Sequence, residues 1–320
     1  MSFKPILIVA GEPNSIFLEI FFKSLKKNKF RKPIILIVSK KLLLSQMKLL
    51  KFRFEVNLIS KNQIDFNKIN NNKINIININ FEFKKPFSKI SSKSNKYIEE
   101  CFKVCLKLLK TKKFSGMING PISKKNFLKK KFFGVTEYLG YKSNIKDVVM
   151  LIYHKKLSVS PLTTHIALKE VHKYITKKKI ITHVKKIGDF YQKQFGFNPK
   201  IAITGLNPHC ESNYKSSEEE KIIKPAIKYL RKTKSNAKGP FAADTIFMDN
   251  QSKKYDVIIG MYHDQVLTPA KTLFGFSAIN ITLGLPFIRV TPDHGPNSSM
   301  MGKNLSNPDS LVQALNFLDK

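Results

Sequence analysis

The sequence contains no tryptophan, three cysteines, four arginines and no apolar run near the ~20 residues that a spanning helix needs. Cys101, Cys105 and Cys210 cannot all pair, and none stands in a CxxC spacing, which excludes a disulfide framework and a cysteine-built zinc or redox motif and points to a reducing compartment. The opening MSFKPILIVAGEP has an apolar run too short for a secretory segment and turns at once, so the chain is expected to be soluble and cytoplasmic, with no membrane partner. Acidic residues are also scarce, 22 against 57 Lys and Arg, for a net charge of +35. Such an excess ordinarily suggests nucleic acid or an anionic membrane. Here it is nearly all lysine, with arginine only at Arg31, Arg53, Arg231 and Arg289, whereas a face selected for DNA uses arginine forks for phosphates and bases. With abundant Asn, Ile and Phe, the lysine excess reads as AT-rich codon usage at tolerant surface positions, and no specific nucleic-acid partner is expected.

What is present is a globular chain of 320 residues, 42% hydrophobic, long enough for two domains. Strand-like runs at 5–10, 33–39 and 116–120 alternate with helix-compatible runs at 16–27 and 96–110, the pattern of a mostly parallel sheet covered by helices. The Asn/Ile/Lys-rich tract 62–80 reads as a variable loop leading into a strand. Further on, 148–153 and 157–162 read as two strands joined by an HKK turn, followed by a long lysine-rich helix over 171–191. SEEEKIIKPAIKYLRK predicts a helix opened by a Ser217/Glu220 capping box and interrupted at Pro225. Strands at 256–261 and 279–282 and a helix at 309–318 complete the reading.

Three strand-like runs each finish, after a short loop, in histidine: LSVSPLTTH at His165, KIAITGLNPH at His209 and YDVIIGMYH at His263. A lone histidine there is usually a satisfied surface or core residue. Three, with crossover-length intervals, are brought together by an open α/β sheet. Asp244, Asp264, Lys271, Asn280 and Arg289 lie in equally unusual places. Neutral imidazoles with nearby carboxylates suit a divalent metal that keeps an open position for chemistry.

The motifs GEPNSI, NGPISK, GVTEYLG, TTHIALKEV, GLNPH, GPFAADTIF, MYHDQVLTPAK, NITLGLPFIRV and DHGPNSSMMGKN resemble, in order and spacing, the 4-hydroxythreonine-4-phosphate dehydrogenase family of vitamin B6 biosynthesis. The resemblance covers almost the whole chain, and MYHDQ and NITLGLPFIR are its most specific parts. It implies an isocitrate/isopropylmalate dehydrogenase-like fold of two α/β/α domains with an interdomain cleft, expected at 1–122 plus 275–320 (cofactor side) and 123–274 (metal site and dimer interface). It implies a homodimer with shared active sites, NAD as cofactor with NADP as the alternative, and a divalent metal, Zn, Mg, Co or Mn. His165, His209 and His263 would be the metal ligands, His263 serving the partner subunit's site. Thr136, Lys271, Asn280 and Arg289 would contact a phosphorylated substrate, with Asp244, Asp264 and Lys271 as the catalytic set. Gly11, His294, Gly295 and Asn304 would contact the nucleotide through a loop that is not a GxGxxG turn. The implied reaction oxidises 4-hydroxythreonine 4-phosphate to a 3-oxo acid, which decarboxylates to 3-amino-2-oxopropyl phosphate on the way to pyridoxal 5'-phosphate.

The chain departs from the family pattern at three places. Val135 stands where the family usually has His before Thr, a loss of one hydrogen bond to a charged substrate worth about 1.5–3 kcal/mol. The N-terminal loop reads Asn14-Ser15-Ile16 in place of a glycine-rich turn, and Ser299 replaces an expected Asp. The rival readings are a sister dehydrogenase of threonate or erythronate 4-phosphate, a lysine-rich nucleic-acid-binding protein on a degenerate enzyme fold, and a hydrolytic metal site.

Overall fold

The computed structural model describes residues 3–128, 131–132, 134–210, 216–275, 277–292 and 294–320. It divides into two compact units, Met1–Leu139 with Pro286–Lys320, and Gly140–Leu285. In chain order the strands are β1 (Ile6–Val9), β2 (Ile34–Val38), β3 (Val56–Leu58), β4 (Ile74–Asn78) and β5 (Gly116–Asn119) in the first unit. The second unit holds β6 (Val149–Tyr153), β7 (Ser158–Pro161), β8 (Ile201–Thr204), β9 (Ala237–Phe241), β10 (Val257–Gly260) and β11 (Ile279–Leu283), and β12 (Arg289–Thr291) returns to the first.

The first unit orders its strands β3-β4-β2-β1-β5-β12, with parallel pairing throughout. Its central strands, ILIV and IILIV, are almost uninterrupted β-branched and leucine runs because helices cover both faces, leaving no polar side to alternate with. The helix Phe17–Lys27 buries Phe17, Ile20, Phe21 and Phe22, and Asn95–Leu109 buries Ile98, Cys101, Phe102 and Cys105. The tract 62–80 is a loop with one short turn, Phe66–Lys68, leading into β4, as its composition predicts.

The second unit runs β11-β6-β7-β10-β8-β9. Here β6 and β7, the two strands expected on either side of the HKK turn, pair antiparallel, β11 adds antiparallel to β6, and β7, β10, β8 and β9 are parallel. The long helix expected at 171–191 is broken into Val171–Tyr174 and Lys177–Phe195. Thr176 adopts extended backbone and its side chain accepts from Lys179 N, so a cap replaces the helical turn there. At the predicted capping box Ser217 Oγ accepts from Glu220 N. A π turn, Glu219–Ile223, then leads into Lys224–Lys232, where Pro225 occupies the first turn and its missing N–H costs no intrahelical bond.

The division between units differs from the sequence expectation at both crossings. Residues 123–139 join the first unit because Tyr138 packs edge-on against Phe127 and Phe102, Phe127 stacks on Phe102, and Arg289 bonds Thr136. Residues 275–285 join the second because β11 is hydrogen-bonded along its length to β6. Among the described residues, no helix is long and apolar enough to cross a membrane.

Candidate active site

The parallel pairing of β7 with β10 continues beyond the strand ends. Leu162 N donates to Gly260 O at 2.7 Å, and Thr163 donates to Met261 O from its amide at 3.2 Å and its hydroxyl at 2.7 Å. The two exit loops therefore run side by side, and the rings of His165 and His263 stand 5.7 Å apart between centroids. Both rings of this pair belong to one chain. His263 is not carried on the strand itself: Tyr262 is extended, and His263 is the first residue of the helix His263–Phe274.

Gln265 laces the neighbouring strand into the arrangement. Its Oε1 accepts from Thr204 Oγ1 at 2.9 Å and Met261 N at 2.6 Å, and its Nε2 donates to Gly205 O at 2.8 Å. The loop that follows β8 is held by Glu219, whose Oε1 accepts from Leu206 N and Asn207 N and whose Oε2 accepts from the Asn207 amide. Burial alone would raise the Glu219 pKa, but these hydrogen bonds outweigh it and the net shift is downward. His209 ends that loop at φ +57°, a left-handed conformation uncommon for a residue with a Cβ.

His263 Nδ1 lies 2.6 Å from Asp264 Oδ1, and His209 Nδ1 lies 3.6 Å from Asp244 Oδ2. The Asp264 carboxylate on His263 Nδ1 leaves Nε2 for a metal, and imidazoles with nearby carboxylates fit a divalent ion chemically. Two imidazoles on one tetrahedral ion would place their centroids roughly 5 Å apart, close to the His165–His263 spacing. Among the described residues no three His, Cys, Asp or Glu side chains form a group able to hold an ion.

Lys271 lies two turns along the helix from His263, half-buried, and desolvation lowers its pKa. Asn280 sits in β11 opposite Ile152, with its side-chain oxygen buried and without a hydrogen-bond partner among the described residues.

The first unit carries Arg289 and Thr136. Arg289 is only 2% exposed; its Nε donates to Asn119 Oδ1 at 2.7 Å and its Nη1 to Thr136 Oγ1 at 3.2 Å. Burial pulls the guanidinium pKa down to about 9, against the attraction of Glu137. Thr136 is the second residue of the helix Val135–Lys142, so the helix opens beside the guanidinium.

Of the residues expected to contact nucleotide, Gly11 has φ +77°, and a Cβ there would lie 2.4 Å from Pro121 O, so the turn after β1 requires glycine on backbone grounds. His294 directs Nδ1 to Gly295 O at 3.0 Å, which leaves its Nε2 buried and without a partner among the described residues; burial lowers its pKa. Gly295 is exposed, and Asn304 sits at φ +58° with its carbonyl accepting from Lys23. Asp293, which opens the same motif, lies outside the described residues.

Sequence reasoning missed Asn119, Glu219 and Gln265 as supporting residues. Asn119 and Gln265 stand inside NGPISK and MYHDQ, so they were visible as motif members but not as hydrogen-bonding partners.

Residues 29–318 match the family model described as Pyridoxal phosphate biosynthetic protein PdxA. The chain is 39% identical over 315 residues to the 4-hydroxythreonine-4-phosphate dehydrogenase of Sulfurihydrogenibium sp. (strain YO3AOP1), covering 97% of this chain and 96% of that one. Among solved structures, 4-hydroxythreonine-4-phosphate dehydrogenase from Klebsiella pneumoniae gives a TM-score of 0.86 at 26% identity over 98% of each chain. Isocitrate dehydrogenase from Methylococcus capsulatus gives 0.50 at 10% identity, over 98% of this chain and 83% of that one, a likeness of fold alone. The mixed α/β, isocitrate dehydrogenase-like architecture implied by the motifs is the one found.

Proposed function

The chain belongs to the pyridoxal phosphate biosynthetic protein PdxA family and is an oxidoreductase of that biosynthesis, and from this premise we propose that it oxidises 4-hydroxythreonine 4-phosphate with NAD and a divalent metal, as a cytoplasmic homodimer. The observation that carries the reading is the pairing of His165 with His263 at the ends of adjacent strands, in a chain matched almost end to end by a dehydrogenase of that name.

A divalent ion on His165, His209 and His263 would supply positive charge against the oxygen-centred negative charge that develops during oxidation and again during loss of carbon dioxide. NAD would accept the hydride. The chain's own groups bind, orient and move protons. Arg289, oriented by Asn119 and joined to Thr136, offers a desolvated cation to a phosphate or carboxylate. Asp264 and Asp244 face the Nδ1 atoms of His263 and His209, which suits them to holding ring orientation. Lys271, whose pKa burial already lowers, is the better carrier for the hydroxyl proton, because a lysine nearer neutrality exchanges protons more readily. Asn280 offers a buried carbonyl oxygen that lacks a protein donor among the described residues, suited to an ammonium or hydroxyl of the substrate. Three cysteines all left as free thiols suit a reducing cytoplasm.

The test is NADH formation from 4-hydroxythreonine 4-phosphate, with and without chelator, alongside NADP and the threonate and erythronate 4-phosphates. Metal-dependent NADH formation from the first substrate supports the reading. Turnover of a four-carbon sugar acid phosphate in its place would move the assignment to the sister activity, which the valine at position 135 makes the reading to compare.

A further inference from the structure

We propose that Lys23, held by Glu19, is a positioning residue that sets the segment 294–306 for the dinucleotide; this rests on the assignment of His294, Gly295 and Asn304 to nucleotide binding. Lys23 and Glu19 lie one turn apart on the helix Phe17–Lys27, far in sequence from that segment. Glu19 is fully buried, and the Lys23 side chain is 18% exposed. The Lys23 ammonium donates to Glu19 Oε1, to Asn304 O and to Ser306 O, each at 2.9 Å, so all three of its N–H groups are used. Ser306 N closes the network by donating to the same Glu19 oxygen at 2.6 Å. The other end of the segment is tied to the same helix, where Ile16 N donates to Pro296 O at 3.2 Å.

Between these ties the segment is mostly exposed and largely self-bonded. Ser299 Oγ donates to Asn297 Oδ1, Met300 N to Asn297 O and Lys303 N to Met300 O. Asn297, Gly302 and Asn304 all have positive φ, so the backbone is wound tightly and its placement depends on where its ends are held. Lys23 holds one end through two backbone carbonyls, which makes the tie indifferent to the side chains of the segment. The rest of the helix is anchored independently by Phe17, Ile20, Phe21 and Phe22. Removing the Lys23 ammonium should therefore release the segment without unpacking the unit.

The experiment uses the full-length protein with NAD and 4-hydroxythreonine 4-phosphate, measuring both KM values and, by calorimetric titration, NAD binding without turnover. Lys23→Met keeps the apolar stem and should raise the KM and Kd for NAD about ten-fold, the order expected for losing hydrogen bonds from a charged donor. The substrate KM and the kcat at saturating NAD should stay within about two-fold of wild type. Lys23→Arg, which can still reach both carbonyls, should recover most of the NAD affinity. Glu19→Gln, which retains an acceptor for Ser306 N but loses the charge that holds Lys23, should show a smaller rise and provides the reading if Lys23→Met does not fold. A folded Lys23→Met enzyme with unchanged NAD KM, or with both KM values raised together, overturns the inference. Failure of the wild type to bind or reduce NAD would instead sink the dinucleotide assignment, and this inference with it.

Discussion

Arg289 donates its Nε–H to the side-chain oxygen of Asn119 across 2.7 Å, a bond made between the adjacent strands β12 and β5. The Asn119 amide is itself fixed, since its Nδ2 donates to Gly120 O at 2.9 Å and Thr291 Oγ1 donates to its backbone carbonyl at 3.0 Å. Its oxygen therefore cannot turn away from the guanidinium without losing both an amide bond and the Nε contact. Asn119→Ala should raise the KM for the phosphorylated substrate ten-fold or more, from a loss of about 1.5–3 kcal/mol, with a smaller change in kcat. Steady-state kinetics on the folded variant checks this. An unchanged KM would show that Arg289 keeps its orientation by other contacts.

Val135 is the first residue of the helix whose second residue, Thr136, accepts from Arg289. A side chain added there points from the same helical turn that meets the guanidinium. Val135→His should lower the KM for 4-hydroxythreonine 4-phosphate by up to about ten-fold, as one hydrogen bond to a charged group would, with thermal stability nearly unchanged. A raised KM, together with better use of a sugar acid phosphate by the wild type, would identify Val135 as the residue that selects the substrate.

The strands of both units were legible in the sequence where burial leaves the least choice. Runs such as ILIV and IILIV have no polar alternation because both faces are covered, and the structure puts strands on them within a residue or so of the expected ends. The helix expected over 171–191 was less legible, because lysine occupies many of its outer positions and the Thr176 cap looks like any other polar residue until its oxygen is seen accepting from Lys179 N. The strand-end histidines were visible as a pattern, and the ladder that continues from β7 to β10 explains why two of them meet. What no local pattern could show is support from a distance. Glu219 gathers the amides of Leu206 and Asn207, and Lys23 reaches carbonyls more than 280 residues away.

Removal of the divalent metal should silence turnover. His165 and His263 are paired within one chain, yet among the described residues no third donor joins them, so metal binding should be reversible by a chelator and sensitive to the loss of either ring. Dialysis against chelator, followed by return of Zn, Mn, Co or Mg, should abolish and restore NADH formation. His165→Ala and His263→Ala should each lower bound metal, measured by elemental analysis, as well as activity. Full turnover by a verified metal-free sample would end the metal-assisted reading.

His183 should make the second unit sensitive to acid. Its Nε2 lies 2.7 Å from Ser160 Oγ, and that hydroxyl already donates its proton to Met150 O, so the Nε2–H of the imidazole is the donor. Burial, followed by the charges of Lys179 and Lys186, pushes its pKa from 6.5 down to about 3. Because the folded pKa is depressed, the unfolded chain binds the extra proton first. The stability from keeping this ring neutral is therefore fully present above pH 6.5 and is lost as pH falls from there towards 3. Across that window this one group contributes a slope approaching about 1.4 kcal/mol per pH unit. His183→Gln removes the titration while an amide N–H can still donate to Ser160. It should cost about 1–2 kcal/mol at pH 7 through imperfect packing, yet lose stability less steeply below pH 6.5. Urea unfolding midpoints at several pH values between 7 and 4 test the sign: parallel curves for wild type and variant would show that another group sets the acid response.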